Sequence, residues 1–169
     1  MTEDTQLDPH SDAQRILNIC CSSTAGNISI PVDPREIARI YDIDVFEHVF
    51  NKNFPRDIVG YLDWDHKGAF IVINNIYKNA YQRFAIAREI GRYFYYQQHG
   101  FPYEKKTAIK RLIQTTPQED DYCASFARSL LMPEQELNYK ISLTDDVQIL
   151  SRVFDVPEQE MINRMEEVH

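Results

Sequence analysis

An α+β fold is expected from three features of this chain. Extended Val- and Phe-rich segments cluster before residue 75, helical periodicity takes over from Lys78, and no linker or internal repeat divides the whole. With 169 residues, 43% of them hydrophobic, the chain is long enough to enclose one core. The expected architecture is a small antiparallel sheet of about three strands packed with helices, followed by a mainly helical C-terminal half.

The opening residues 1–12, MTEDTQLDPHSD, are polar and acidic and predict a flexible tail ahead of a single domain at 13–169. Residues 13–21 place Ile16, Leu17, Ile19 and Cys20 on one helical face, and a polar loop follows over 22–29. Asp33 then reads as an N-cap, with Pro34 at the first helical position and Glu36 three residues after the cap. Ile37, Ala38, Ile40 and Tyr41 give that short helix its buried face. Strands are expected at 43–50, 58–64 and 69–73, the last almost wholly apolar and therefore central. Asp65-His66-Lys67-Gly68 supplies a hairpin turn between the second and third. Helices are expected at 78–98, 104–113, 117–132, 144–154 and 157–167, the last two forming a C-terminal helical pair.

Composition narrows the function classes. No apolar run approaches the roughly 20 residues of a membrane span, and the opening does not resemble a signal peptide. Cys20, Cys21 and Cys123 do not form a disulfide framework, so a reducing, cytoplasmic setting is expected with the three as small buried hydrophobes. A formal net charge of −8 opposes nucleic-acid binding unless a basic patch is segregated, and the one dense basic stretch is Lys105, Lys106, Lys110 and Arg111. At helical spacing such residues ordinarily make a solvated face.

The stretch RFAIAREIGRYFYY, residues 83–96, carries the most information. Phe84, Ala87, Ile90, Gly91 and Phe94 form the apolar stripe of a buried helix. Arg88 and Arg92, four apart, share another face with Glu89 beside them. On an arbitrary helix such a pair is simply solvated, and only the surrounding frame places it in a cleft.

That frame resembles the ImmA/IrrE metallopeptidase family, whose helix reads close to R-F-T-x-A-H-E-L-G-H-Y. Here arginine stands at both histidine positions. The family's second signature, E-x-E-A-x-x-F-A-x-x-L-L-M-P, resembles residues 120–133, in which Phe126-Ala127 and Leu130-Leu131-Met132-Pro133 are intact and Tyr122 aligns with the ligand glutamate. Pro31-Val32-Asp33-Pro34 with Ile37-Ala38 is similar to the family's P-V-D-P-x-x-I-A opening, Ala69 to Asn74 to its strand ending in I-N, and LSRVFDVPEQEMINRM to its closing helical pair. The resemblance covers nearly the whole chain and implies a zincin-like fold.

It also implies a zinc site at Arg88, Arg92 and Tyr122, with Glu89 as the general base, and these substitutions make that site degenerate. In H-E-x-x-H two imidazoles one turn apart grip one zinc. A guanidinium offers five donors and no lone pair, and a phenol with a reference pKa near 10 is a poor replacement for a carboxylate. Without a metal to lower the pKa of bound water from about 15.7 to roughly 7, Glu89 does not generate hydroxide at a useful rate. No metal, cofactor or functional catalytic residue is therefore expected. His99, Cys123, Asp120 and Glu119, or His48 and His66 near the sheet, show no ligand spacing that would rebuild a site.

Two expectations follow for the cleft. Arg88, Glu89, Arg92, Asp120, Asp121 and Tyr122 either form an ion-pair cluster joining two helices, or present guanidinia, beside Tyr93, Tyr95, Tyr96 and Tyr122, to a carboxylate or phosphate on a partner. The resemblance implies a role in phage or mobile-element biology, acting on helix-turn-helix repressors. An inactive relative would hold such a repressor as an antirepressor does. The alternatives are a peptidase with a residual or altered metal site that cleaves the repressor, and DNA binding through the C-terminal helices. That last pair has a helix-turn-helix look, but its second helix opens Pro157-Glu158-Gln159-Glu160, which repels phosphate and favours packing.

Overall fold

The computed structural model describes residues 8–21, 28–101 and 108–169. Among them are eight helices and one three-stranded sheet, in the order α1 (Pro9–Cys21), α2 (Pro34–Ile40), β1 (Asp44–His48), β2 (Gly60–Asp65), β3 (Gly68–Asn74), α3 (Asn79–His99), α4 (Ala108–Ile113), α5 (Pro117–Leu131), α6 (Glu134–Ile141), α7 (Val147–Phe154) and α8 (Glu158–Val168). Residues 1–7, most of the loop expected at 22–29, and Lys105 and Lys106 at the start of the helix expected at 104–113 lie outside the described residues.

The sheet is mixed, which corrects the antiparallel expectation. Its order is β1-β3-β2, with β3 central as its apolar run predicts. The hairpin turn at 65–68 lays β2 antiparallel along one edge of β3, with Leu62 opposite Ile71. That leaves only the far edge for β1, and the connection through residues 49–59 is long enough to return the chain so that β1 and β3 run parallel, Val45 beside Ile71. Leu62, Ile71 and Ile73 turn one face of the sheet into the core.

Against that face lies α3, which also packs on α5. The two helices approach closely because Gly91 has no side chain: a Cβ there would stand 2.8 Å from Cδ1 of Phe126. Ile86, Ala87 and Ile90 from α3, with Phe126, Leu130 and Leu131 from α5, are fully buried on either side of this contact.

Helix α1 starts at Pro9, earlier than a tail over 1–12 allows. The reason is tertiary: α1 packs along α5, burying Ala13, Ile16 and Leu17, and Asp12 is only 6% exposed. Asp33 caps α2 by accepting from the backbone N–H of Arg35 at 2.9 Å, while Glu36 turns to Arg39 at 2.7 Å rather than back to the cap. Helix α6 is an element the periodicity did not reveal. It holds a single buried residue, Leu137, so its apolar stripe is too short to register. The C-terminal pair is clearly delimited: Asp146 caps α7 through the backbone of Gln148 and Ile149, and Asp155 ends it in the left-handed region at φ 51°.

Candidate functional site: a buried arginine between two helices

Helix α3 carries Arg88, Glu89 and Arg92 to the start of α5, where local sequence has placed acids. Thr116 is the N-cap of α5, accepting from the backbone N–H of Glu119 at 3.2 Å, and Pro117 opens the helix. Glu119 and Asp120 therefore fall in the first turn, where the helix dipole favours negative charge. They face α3.

Arg92 is 4% exposed, and each guanidinium nitrogen has a carboxylate partner. Its Nε donates to Oε2 of Glu89 at 3.0 Å, its NH1 donates to Oε1 of Glu119, and its NH2 lies 3.5 Å from Oδ1 of Asp120. The acids are tied in turn. Oε2 of Glu89 also accepts from the backbone N–H of Leu62 on the sheet edge at 3.0 Å, and Oε1 of Glu119 accepts from the Tyr96 hydroxyl at 2.9 Å. Burial alone would weaken the hold of Arg92 on its proton. The surrounding Glu89, Cys123, Glu119 and Tyr96 outweigh it and raise the affinity above the usual arginine value. Burial raises the Tyr96 phenol too, reinforced by Glu119.

Arg88 occupies a different environment. Its side chain is 36% exposed, and its NH2 donates to Oδ1 of Asp120 at 2.8 Å. Its Nε is buried without a hydrogen-bond partner. Arg88, Glu89, Arg92 and Asp120 thus come together, whereas Asp121 and Tyr122 do not join them. Asp121 is exposed on the outer side of α5. Tyr122 points to α1, its hydroxyl donating to Oδ2 of Asp12 at 2.7 Å, and its ring lies against Tyr95 and Phe126 at centroid distances of 5.4 and 6.2 Å.

Glu119 was missing from the expected cleft. A signal for it existed: Thr116 and Glu119 have the spacing of a capping box, and Glu119 lies one turn before Tyr122 on α5. Its carboxylate reaches across to Arg92 instead of back to the cap. Nor do the tyrosines act as one group. Tyr96 joins through Glu119, Tyr95 stacks on His99 at 4.1 Å, and Tyr93 packs against Phe101.

Two consequences are chemical. Each guanidinium nitrogen of Arg92 faces a carboxylate, so the two arginines are not a matched pair of open guanidinia. Zinc does not fit these residues either. A cation with no lone pair fills the space between α3 and α5, the Tyr122 hydroxyl is turned to Asp12, and no group of three His, Cys, Asp or Glu among the described residues is placed to hold a metal. His99 instead contacts the Tyr95 carbonyl at 3.0 Å within its own helix.

Beside the cluster opens a cavity of about 460 Å³. Its inner wall includes Arg88, Glu89, Arg92 and Asp120, and its remaining sides come from residues 57–60, the first half of α3, Leu112 and Thr115, and the start of α8. Helix α8 is anchored there through Arg128 of α5, which pairs with Glu160 at 3.1 Å and Glu167 at 2.6 Å. Arg164 of α8 is 4% exposed and donates to the Met132 carbonyl at 3.2 Å. Glu160, Glu167 and Arg164 of this helix are thus engaged in packing. No helix among the described residues is long and apolar enough to cross a membrane.

No protein-family model matches the chain, and no curated protein matches it. A solved structure that it resembles is that of a Mycobacterium tuberculosis transcriptional regulator, with TM-score 0.63 and 17% sequence identity, over 94% of this chain and 47% of that one. The likeness is one of fold, and the chain spans about half the length of that protein.

Proposed function

We propose that this protein is a non-catalytic relative of the ImmA/IrrE metallopeptidases that regulates transcription by binding a helix-turn-helix repressor. The observation that carries this reading is Arg92, buried at 4% exposure and satisfied by Glu89, Glu119 and Asp120 where two imidazoles would have to converge on zinc. An ion-pair network does the work of joining α3 to α5, with Glu89 engaged by Arg92 and the Leu62 amide. The role in transcription is supported by the fold shared with a transcriptional regulator. The net charge of −8 suits a partner with a basic DNA-binding face.

The test is co-expression with a helix-turn-helix repressor encoded beside this chain, followed by co-purification, metal analysis and inspection of the repressor for cleavage. A stable complex with intact repressor and far less than one zinc per chain is expected. Stoichiometric zinc with a cut repressor would establish the peptidase reading instead, and retention on DNA at physiological salt with no partner would favour direct DNA binding.

A further inference from the structure

The cavity beside the arginine cluster has a composition that selects its occupant. Two guanidinia, Arg88 and Arg92, face four carboxylates, Asp57, Glu89, Asp120 and Glu160, so the lining carries an excess of negative charge. Arg92 is already claimed by three acids, and Glu160 is shared with Arg128. Asp57 is exposed, and Asp120 is half-open to solvent at 47% side-chain exposure, with the half-open Arg88 as its partner. The rest of the wall is mixed, with apolar Ile58, Val59, Phe84 and Pro157 beside polar Thr115 and Gln159. Apolar patches beside open carboxylates complement a long aliphatic chain with a cationic head.

We infer that this cavity receives a lysine or arginine side chain of the partner protein, its methylene stem against Phe84 and Pro157 and its charge at Asp57 and Asp120. The inference rests on the repressor-binding reading for the identity of the partner, not for the chemistry of the pocket. Arg88 is then a competitor: it occupies Asp120 in the free protein at 2.8 Å and is displaced or screened when a second cation arrives. An anion-binding pocket would need Arg88. A cation-binding one is improved by its removal.

The experiment is a two-dimensional amide NMR titration of the full chain with acetyl-Gly-Gly-Lys-Gly-Gly-amide, its arginine and norleucine counterparts, a glutamate counterpart, and spermidine. Saturable shifts confined to residues 57–60, 84–92 and 157–160 are expected with the lysine and arginine peptides. Removing one charge should change affinity by about threefold to fivefold: Asp57→Asn weakens binding and Arg88→Gln strengthens it. Both side chains are exposed enough for the variants to fold, and the spectrum itself checks this. Equal binding of the norleucine peptide, tighter binding of the glutamate peptide, loss of binding in Arg88→Gln, or no shift at millimolar peptide would each overturn the inference. Spermidine binding tighter than either peptide would assign the cavity to a free polyamine and overturn it as well. If a repressor complex forms but Asp57→Asn and Arg88→Gln leave its affinity unchanged, the pocket assignment fails while the functional reading stands. Peptide binding without any repressor complex has the opposite meaning.

Discussion

Arg92 of α3 and Glu119 of α5 meet with side chains only 5% and 10% exposed, so the charge of each is balanced by the other and not by water. The Arg92 network therefore behaves as a unit. Replacing Arg92 by methionine would leave Glu89 and Glu119 buried without a counter-charge, at a cost of about 3–5 kcal/mol in urea unfolding. Adding Glu119→Gln to that variant should recover part of the loss, since one stranded charge is removed. An Arg92→Met protein within about 1 kcal/mol of the parent would show that the cluster is not structural.

Tyr122 and Asp12 tie α5 to α1. Asp12 also pairs with Arg15 at 2.5 Å and accepts from Gln98 at 3.3 Å, so it is well anchored without the phenol. Tyr122→Phe should cost about 1–3 kcal/mol, because the buried carboxylate loses a partner that water cannot easily replace. Hydrogen exchange would register this as faster exchange of α1 amides relative to α5. Unchanged protection in α1 would mean the bond contributes nothing to docking that helix.

Alkaline pH should weaken the fold through Cys123. Burial pushes its thiol up from 9.0 to about 12, against the opposing pull of Arg92. A group whose folded pKa is raised stabilises the fold fully below its unfolded value and loses that contribution as pH climbs towards the folded one. Stability should thus fall between pH 9 and 12, with Cys123 contributing a slope of up to about 1.4 kcal/mol per unit. Tyr122 and Tyr96, also raised by burial, add to the loss at the upper end. In Cys123→Ala the slope between pH 9 and 10 should flatten, whatever the absolute stability. An identical slope would place the alkaline sensitivity elsewhere.

Gly91→Ala should destabilise by about 1–3 kcal/mol, because the added methyl meets the Phe126 ring and its Cβ within 3.2 Å. Phe126→Leu in the same chain should relieve the clash, making the double variant less damaged than the sum of the two singles. Strict additivity would argue that the helices separate instead of repacking.

Rebuilding the metal site tests the alignment behind the proposed function. Arg88→His, Arg92→His and Tyr122→Glu together are expected to bind one zinc, detectable by calorimetry, provided the carboxylate at 122 turns away from Asp12. The pair Arg88→His and Arg92→His alone separates this from recruitment of Glu119 or Asp120. Absence of any heat with the triple variant would mean that Tyr122 is not the equivalent of the ligand glutamate.

Much of this protein is legible in one dimension. The cap Asp33-Pro34, the hairpin turn at 65–68, the central apolar strand and the stripe Phe84, Ala87, Ile90, Gly91, Phe94 all arise from interactions within a few residues, and the structure places them where periodicity and turn chemistry predict. Glu89 and Arg92 are three apart on one helix, so their pairing too was readable from spacing.

Other features depend on what lies across the core. The parallel placement of β1, the start of α1 at Pro9, and the turning of Tyr122 to Asp12, 110 positions away, have no local cause. Sequence alone determined which residues are apolar, which carry permanent charge, and that two arginines stand one helical turn apart beside a glutamate. Tertiary structure alone decided that Arg92 is buried while Arg88 stays half-open, and that Glu119 rather than Asp121 or Tyr122 completes the cluster. The cause is the same in each case: burial and charge pairing depend on which helix faces which, and that is settled by close packing at Gly91 and Phe126, not by spacing along the chain.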